Sequence, residues 1–510
     1  VRTRTLLLYA PTADGRWLPF PPLGIAVLAG HLRRRGLEVE LDDLEIRFLD
    51  QDRCDGWPAA PIVRRLAARH NNPLSPFGRR RLVQRHLEGA AGRGRRDVVD
   101  QLLDRCEALL DRELGRFTHL GLSVMSRHQL DTSLCLARRL KQRHGLKVIL
   151  GGSFVTPAVA GLLERYPFVD YMIVGEGELP LERLLRGDAP EGIDNVIYRD
   201  RRGRAAASPV VQRYAEEMQP DFSGLPMDLY RRRGPPLVLP VEMSKGCRNR
   251  CAFCVTRRKP LLLKEPGVVV RELAEARARH GARCFLFVDN AFNLDREHSV
   301  AVCRAMIEAR LEIRWSAYFI PELQDRAYFR LLRQAGCVQL RWGIEAPARG
   351  LLSRMNKSYD PDGVALALRR AAACGIWNHL LFMVGYPGER PADLLSTARY
   401  ILQNRRAFRS ALVCGLDIER VALAGNGGQQ ALARVHPGAV LEREVHGLPV
   451  YSLRWASRGP ARRLLQLLLA GCGVGYRRNF SRYRDRIHRD QFIYEAFRRA
   501  PPGLQQAAPP

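Results

Sequence analysis

Ser244-Lys245-Gly246-Cys247-Arg248-Asn249-Arg250-Cys251-Ala252-Phe253-Cys254 is the stretch on which the reading of this 510-residue chain turns. It places three thiols within eight residues, directly after an apolar segment, Leu237 to Met243, that reads as a strand. Thiolates are the ligands that iron–sulfur clusters take, and three local cysteines leave one iron open to a chelating substrate group. The alternative is a zinc knuckle, which needs a fourth Cys or His at short spacing. The next candidates, His280 and Cys284, lie well downstream, so the spacing favours a cluster.

Working outward, further strand patterns follow at Cys284–Val288, Ile313–Phe319, Val338–Ile344, Asn378–Val384 and Leu412–Val421. Helical periodicity fills the intervals, roughly 267–280, 296–310, 325–335, 360–374 and 391–404. Six strands separated by helices predict a partial (β/α)6 barrel over 236–435, with its chemistry at the C-terminal strand ends. A small, basic C-terminal region over 436–510 reads as helical, with no legible motif.

Upstream, strand patterns at Thr3–Tyr9, Val39–Leu44, His119–Met125, Lys147–Leu150 and Tyr171–Val174 alternate with helices such as Leu23–Arg35. That alternation predicts an α/β, doubly wound, Rossmann-like domain over 1–185. A basic helical insert at about 51–115 interrupts it, and the polar, turn-rich residues 186–235 read as a linker.

Cys247, Cys251, Phe253 and Cys254 match, position by position, the Cys-x3-Cys-x2-Cys motif with an aromatic before its last cysteine. The chain thereby resembles the radical S-adenosylmethionine superfamily. The resemblance implies a four-iron four-sulfur cluster that binds S-adenosylmethionine and cleaves it reductively to a 5′-deoxyadenosyl radical. Trp342-Gly-Ile-Glu345 ends the fourth barrel strand, and Val384-Gly-Tyr-Pro-Gly-Glu389, which ends the fifth, is similar to the Gly-Phe-Pro-Gly-Glu turn of that superfamily. Contacts to S-adenosylmethionine are therefore expected at Phe253, Asp289, Glu345, Gly385, Pro387 and Gly388. Asp289-Asn290 stands where many relatives carry Gly-Gly-Glu for the methionyl amine.

The N-terminal half resembles the cobalamin-binding branch of the same superfamily. It carries Ser123-Val-Met125 and, after 25 intervening residues, Gly151-Gly152. Pro21-Pro-Leu-Gly-Ile-Ala-Val-Leu-Ala-Gly-His-Leu32, Ile173-Val-Gly-Glu-Gly-Glu178 and Asp221-Phe-Ser-Gly-Leu-Pro226 add to the likeness. Cobalamin contacts are expected at Pro22, Leu23, Ser123, Ser126, Arg127, Gly151, Gly152, Gly175 and Glu176. A hydroxyl and glycines at strand ends let a flat corrin approach the sheet edge. The Asp-x-His-x-x-Gly motif is missing, which in this branch implies cobalt without a protein histidine. Met125-Ser-Arg-His128 is the candidate loop for the lower corrin face.

Two such cofactors imply methylation of an unactivated carbon in natural-product or peptide tailoring, with flavodoxin or ferredoxin as one-electron reductant. Cyclisation, oxidation or another rearrangement without methyl transfer is the rival, followed by RNA modification and a non-catalytic corrin-binding regulator. The formal net charge of +29 motivates the RNA alternative. No aromatic-studded basic strand accompanies that charge, so solvated arginine-rich faces are its simpler origin. Nine cysteines scattered singly do not make a disulfide framework. With no run of eighteen apolar residues and no signal-like N-terminal segment, a cytoplasmic protein is expected.

Overall fold

The computed structural model describes residues 3–11, 20–48, 80–88, 98–110, 112–212, 219–233, 236–254, 259–416, 439–445, 448–453, 458–472 and 491–499. Most of the insert expected at about 51–115 lies outside these, as does much of 436–510. The chain divides into two compact units, Val1–Pro235 and Pro236–Val445, with the remaining residues divided between them.

The first unit is built on a seven-stranded sheet in the order β2-β1-β3-β4-β5-β6-β7. Its strands are β1 (Arg4–Tyr9), β2 (Glu38–Asp43), β3 (His119–Ser123), β4 (Lys147–Gly151), β5 (Tyr171–Ile173), β6 (Val196–Arg199) and β7 (Ala205–Ala207). β1 to β5 pair in parallel, and helices such as Leu23–Arg34 and Arg127–His144 make the crossovers. Leu6, Leu7 and Leu8 are all at most 2% exposed, as a strand covered on both faces requires. The strand order reverses between β1 and β3, which makes the C-terminal edge there the ligand crevice of such sheets.

Residues 186–235 are more than a linker. β6 and β7 form an antiparallel hairpin that extends the sheet, with the turn closed by Asp200 and Gly203. The β-branched and aromatic run Val196-Ile-Tyr carried that signal within a polar setting. Helix Met227–Arg233 closes the unit.

The second unit contains six parallel strands, β8 (Val238–Val241), β11 (Cys284–Phe287), β12 (Arg314–Phe319), β13 (Cys337–Glu345), β14 (Trp377–Val384) and β15 (Ser410–Gly415). They neighbour one another in chain order with helices between, the arrangement of a partial (β/α) barrel. Trp342 packs on Phe319 and on Phe329 of helix Arg326–Gln334, so this face of β13 meets the helical layer. Alternation turns Arg341 to the opposite, inner face, where it stacks on Tyr318 at 4.4 Å. At the N-terminal end, Arg314 Nη1 donates to Phe497 O at 2.6 Å, tying helix Gln491–Arg499 to β12. The C-terminal region is not wholly helical: β16 (Ala439–Val445) pairs with β17 (Leu448–Leu453). No helix among the described residues is long and apolar enough to cross a membrane.

Candidate functional site

The three cysteines lie on a loop pinned at its base. β9 (Ser244–Lys245), just past β8, pairs antiparallel with β10 (Leu262–Leu263), matching Lys245 to Leu262 and Ser244 to Leu263. Gly246 follows with φ +84°, and a Cβ there would sit 1.7 Å from the Pro260 carbonyl oxygen, so only glycine fits. The Cys247 amide donates to Lys259 O at 3.2 Å, and Asn290 Nδ2 donates to Gly246 O at 2.6 Å. On the far side, the Ala252 amide donates to Met355 O and Asn356 Nδ2 donates to Arg250 O, each at 2.8 Å.

None of the three cysteines is in a disulfide, and all are partly exposed. Burial pushes the Cys247 thiol up, and pushes Cys251 up to about 11 against the opposing field of the Lys357 ammonium. Cys254 adds to both shifts, which shows that the three sulfurs feel one another. Among the described residues no three Cys, His, Asp or Glu side chains converge as a single metal ion requires. A four-iron cluster places its cysteine ligands on separate corners, so a partly open three-thiol loop fits it. Loading then releases thiol protons.

The expected S-adenosylmethionine contacts fall into two groups. Phe253, between the last two cysteines, meets Tyr386 edge to face at 6.5 Å and packs on a buried cluster including Ala346, Leu351 and Met355. Glu345 at the end of β13 has φ +59°, a conformation in which a non-glycine residue stores strain. Lys357 Nζ bonds Glu345 Oε1 at 2.9 Å and also donates to Gly343 O. Gly385, Pro387 and Gly388 form the next strand-end turn. The Gly385 amide donates to Glu389 Oε2 at 2.6 Å, and Gly388 sits at φ +80° beside Arg354.

Asp289 behaves differently from the others. It is 3% exposed, and it accepts from the amides of Met243 (3.1 Å) and Ser244 (2.5 Å) and from Ser244 Oγ (2.6 Å). Its carboxylate braces the root of the cysteine loop instead of facing outward. Burial raises its pKa to about 6 even so.

Sequence reasoning missed the brace Met355-Asn356-Lys357 and the buried Glu389. A signal existed: an asparagine just past the end of a short helix tolerates the left-handed turn, and Asn356 adopts φ +51°.

In the first unit, the residues expected around cobalamin gather along the C-terminal ends of β3, β4 and β5 and at the start of helix Leu23–Arg34. Gly152 has φ +98°, and a Cβ there would meet Val124 O at 2.6 Å, so its role is to let two strand ends touch. Gly151 and Gly175 differ: among the described residues a Cβ at Gly151 would meet only Ile173 O at 3.9 Å and one at Gly175 nothing within 4 Å, although the φ of +74° at Gly175 itself favours glycine. Ser126 precedes helix Arg127–His144 without a side-chain capping bond. Pro22 and Leu23 open the first helix, and Glu176 lies between β5 and helix Glu178–Arg186. The His128 side chain lies outside what the structure describes.

Gln129, absent from the expected set, ties the edge together. It is fully buried, accepts from the Met125 amide at 2.8 Å and donates to Ala10 O at 2.6 Å. The other cobalamin-like stretches interlock by packing. A Cβ on Gly30 would strike Gln219 O at 2.0 Å, Arg33 Nη1 bonds Asp221 Oδ2 at 2.7 Å, and His31 Nε2 meets Glu182 Oε2 at 2.8 Å.

Residues 241–401 match the model of the Radical SAM superfamily. Over 263 residues the chain is 25% identical to an uncharacterised methyltransferase of Pyrococcus horikoshii, covering 50% of this chain and 57% of that protein. The chain spans about half the length of the curated relatives it matches. Its fold is similar to that of the radical S-adenosylmethionine methyltransferase TsrM from Kitasatospora setae, solved with cobalamin and an iron–sulfur cluster bound. That match has a TM-score of 0.64 and 18% identity, over 98% of this chain and 100% of that one. The cobalamin-dependent S-adenosylmethionine radical enzyme OxsB matches with a TM-score of 0.62 and 15% identity, over 92% of this chain and 67% of that one.

Proposed function

From the premise that residues 241–401 form a radical S-adenosylmethionine domain, we propose that the protein is a cobalamin-dependent methyltransferase. Its target is an unactivated carbon of a small molecule or peptide. The observation that carries this reading is that one chain bears two strand-end sites. One is a strapped three-thiol loop, and the other is a sheet edge where the described residues leave room beside Gly151 and Gly175.

Such cofactors, when bound, supply the carbon-centred radical and the methyl group. The chain's own residues hold, orient and keep dry. Cys247, Cys251 and Cys254 would hold the cluster, while Gly246, Asn290 and Asn356 fix the loop that presents them. Phe253 and Tyr386 form an apolar wall beside the cysteines that keeps water from a reactive centre. Glu345, held by Lys357, presents an acceptor for sugar hydroxyls, and the Tyr386-Pro-Gly388 turn offers backbone to a nucleoside. In the first unit, Ser123, Ser126 and Arg127 would contact a corrin at the edge, which Gln129 and Gly152 keep in shape. A low-potential flavodoxin or ferredoxin in the cytoplasm is the electron source in this reading.

Reconstitution without oxygen, with iron, sulfide and hydroxocobalamin, tests it by metal counting. About four irons and about one cobalt per chain are expected, with iron lost in the Cys247→Ala, Cys251→Ala, Cys254→Ala triple variant and cobalt retained. Iron without cobalt would leave a radical enzyme for cyclisation or oxidation and remove the methyl transfer. Zinc in place of iron would overturn the proposal.

A further inference from the structure

We infer that Lys357 and Glu345 act as a charge pair that sets the reduction potential of the cluster held by Cys247, Cys251 and Cys254, Lys357 raising it and Glu345 lowering it. The inference rests on the cluster part of the reading above and is independent of cobalamin. Both are positioning residues: they act on the cluster through the field at the cysteine loop.

Three observations converge on Lys357. Its Nζ lies 5.9 Å from the centroid of the Phe253 ring, the aromatic held between Cys251 and Cys254. It is tied by Glu345 Oε1 at 2.9 Å and by the Gly343 carbonyl, with only 12% of its side chain exposed, so the ammonium is fixed in place. Met355 and Asn356, the two residues before it, grip the backbone of Ala252 and Arg250, so segment and loop move as one piece.

The Phe253 ring beneath the ammonium belongs to the residue next to Cys254 and two from Cys251, so Lys357 and its Glu345 partner stand beside the cysteine loop. A half-buried charge is poorly screened, so its field reaches the cysteines. On reduction the cluster takes up one electron from a low-potential donor, dithionite in the assay, which is oxidised. No bond at the protein forms or breaks. The added negative charge is stabilised by the ammonium and opposed by the carboxylate.

The test is a redox titration of the reconstituted protein, without S-adenosylmethionine, followed by the electron paramagnetic resonance of the reduced cluster. Lys357→Met is expected to lower the midpoint, so that the reduced-to-oxidised ratio at a fixed potential falls by roughly tenfold. Glu345→Gln is expected to raise it, with the ratio rising several-fold, and Lys357→Arg should restore the wild-type value. Opposite shifts are the signature of charge, because a merely structural role would move both variants alike. A Lys357→Met protein with full iron and an unchanged midpoint overturns the inference. If that variant fails to hold iron, an unchanged or lowered midpoint in Glu345→Gln overturns it instead. Failure of the wild-type protein to take up iron would refute the cluster itself and with it this inference, an outcome distinct from an unshifted midpoint.

Discussion

Both units carry a buried aspartate at the C-terminal end of a parallel strand, and each uses it to anchor a separate stretch of chain. In the first unit Asp43 ends β2, accepts from the Glu45 amide at 2.8 Å and the Ile46 amide at 3.2 Å, and takes the Tyr230 hydroxyl. Burial raises its pKa to about 7. In the second unit Asp289 follows β11 and anchors Met243 and Ser244, with its pKa raised to about 6. The device is the same and the tethered segments differ. Asp43 holds a helix, Met227–Arg233, whose task is to close the unit. Asp289 holds the root of a loop that ends in three thiols. A buried carboxylate is therefore not itself a mark of chemistry; what it holds decides.

The strongest test of this contrast is Gly246→Ala. The new methyl would overlap the Pro260 carbonyl at a positive φ, so the cysteine loop cannot close. Nearly all iron binding is expected to vanish in metal analysis, with circular dichroism of the remainder preserved. Next in size, Gly152→Ala should destabilise the first unit by about 1–3 kcal/mol, read from denaturant midpoints, since a methyl would press on Val124. Gly151→Ala has room, so it should leave stability unchanged and weaken only cobalamin uptake. Equal loss of stability in both would erase the distinction between a folding glycine and a shape glycine.

The aspartates give a pH signature. Each titrates higher folded than its ordinary value of 3.8, so the folded chain keeps its proton longer. Their stabilising contribution is complete at low pH and is lost as pH rises from about 4 through about 6 for Asp289 and about 7 for Asp43. Asp43→Asn should flatten that decline, on the order of a few kcal/mol, with iron content unchanged. Asp289→Asn should flatten the decline and also lower iron retention. If both variants alter iron equally, the two anchors are not separable. Smallest of all, Asn356→Gly removes one strap from Arg250 O while keeping the left-handed turn, at roughly 1 kcal/mol, and should only quicken iron loss to a chelator.

The elements of both units were largely legible in the sequence, because period-2 and period-3.6 apolar patterns record burial directly. β14 was expected at Asn378–Val384 and runs Trp377–Val384. The cysteines were legible because reactive side chains identify themselves by type and spacing. The braces were not. Gln129, Asn356 and Lys357 are ordinary polar residues whose meaning comes from partners 119, 106 and 12 positions away. The β6–β7 hairpin was hidden for a related reason, since its two strands are four and three residues long in a polar setting. Asp289 was expected from its position as a cofactor contact, and the partners of its carboxylate add an anchoring role that no spacing announces.

The antiparallel pairing of Lys245 with Leu262 and Ser244 with Leu263 closes the cysteine loop at its neck before any iron arrives. The conformational entropy of gathering the three ligands is therefore met by folding, and metal uptake need not supply it. The same closure confines three thiols to a small volume at high effective concentration. In air, oxidation of one pair to a disulfide would strand the third. Oxygen thus threatens this protein twice, at the assembled cluster and earlier, at the empty loop that waits for it.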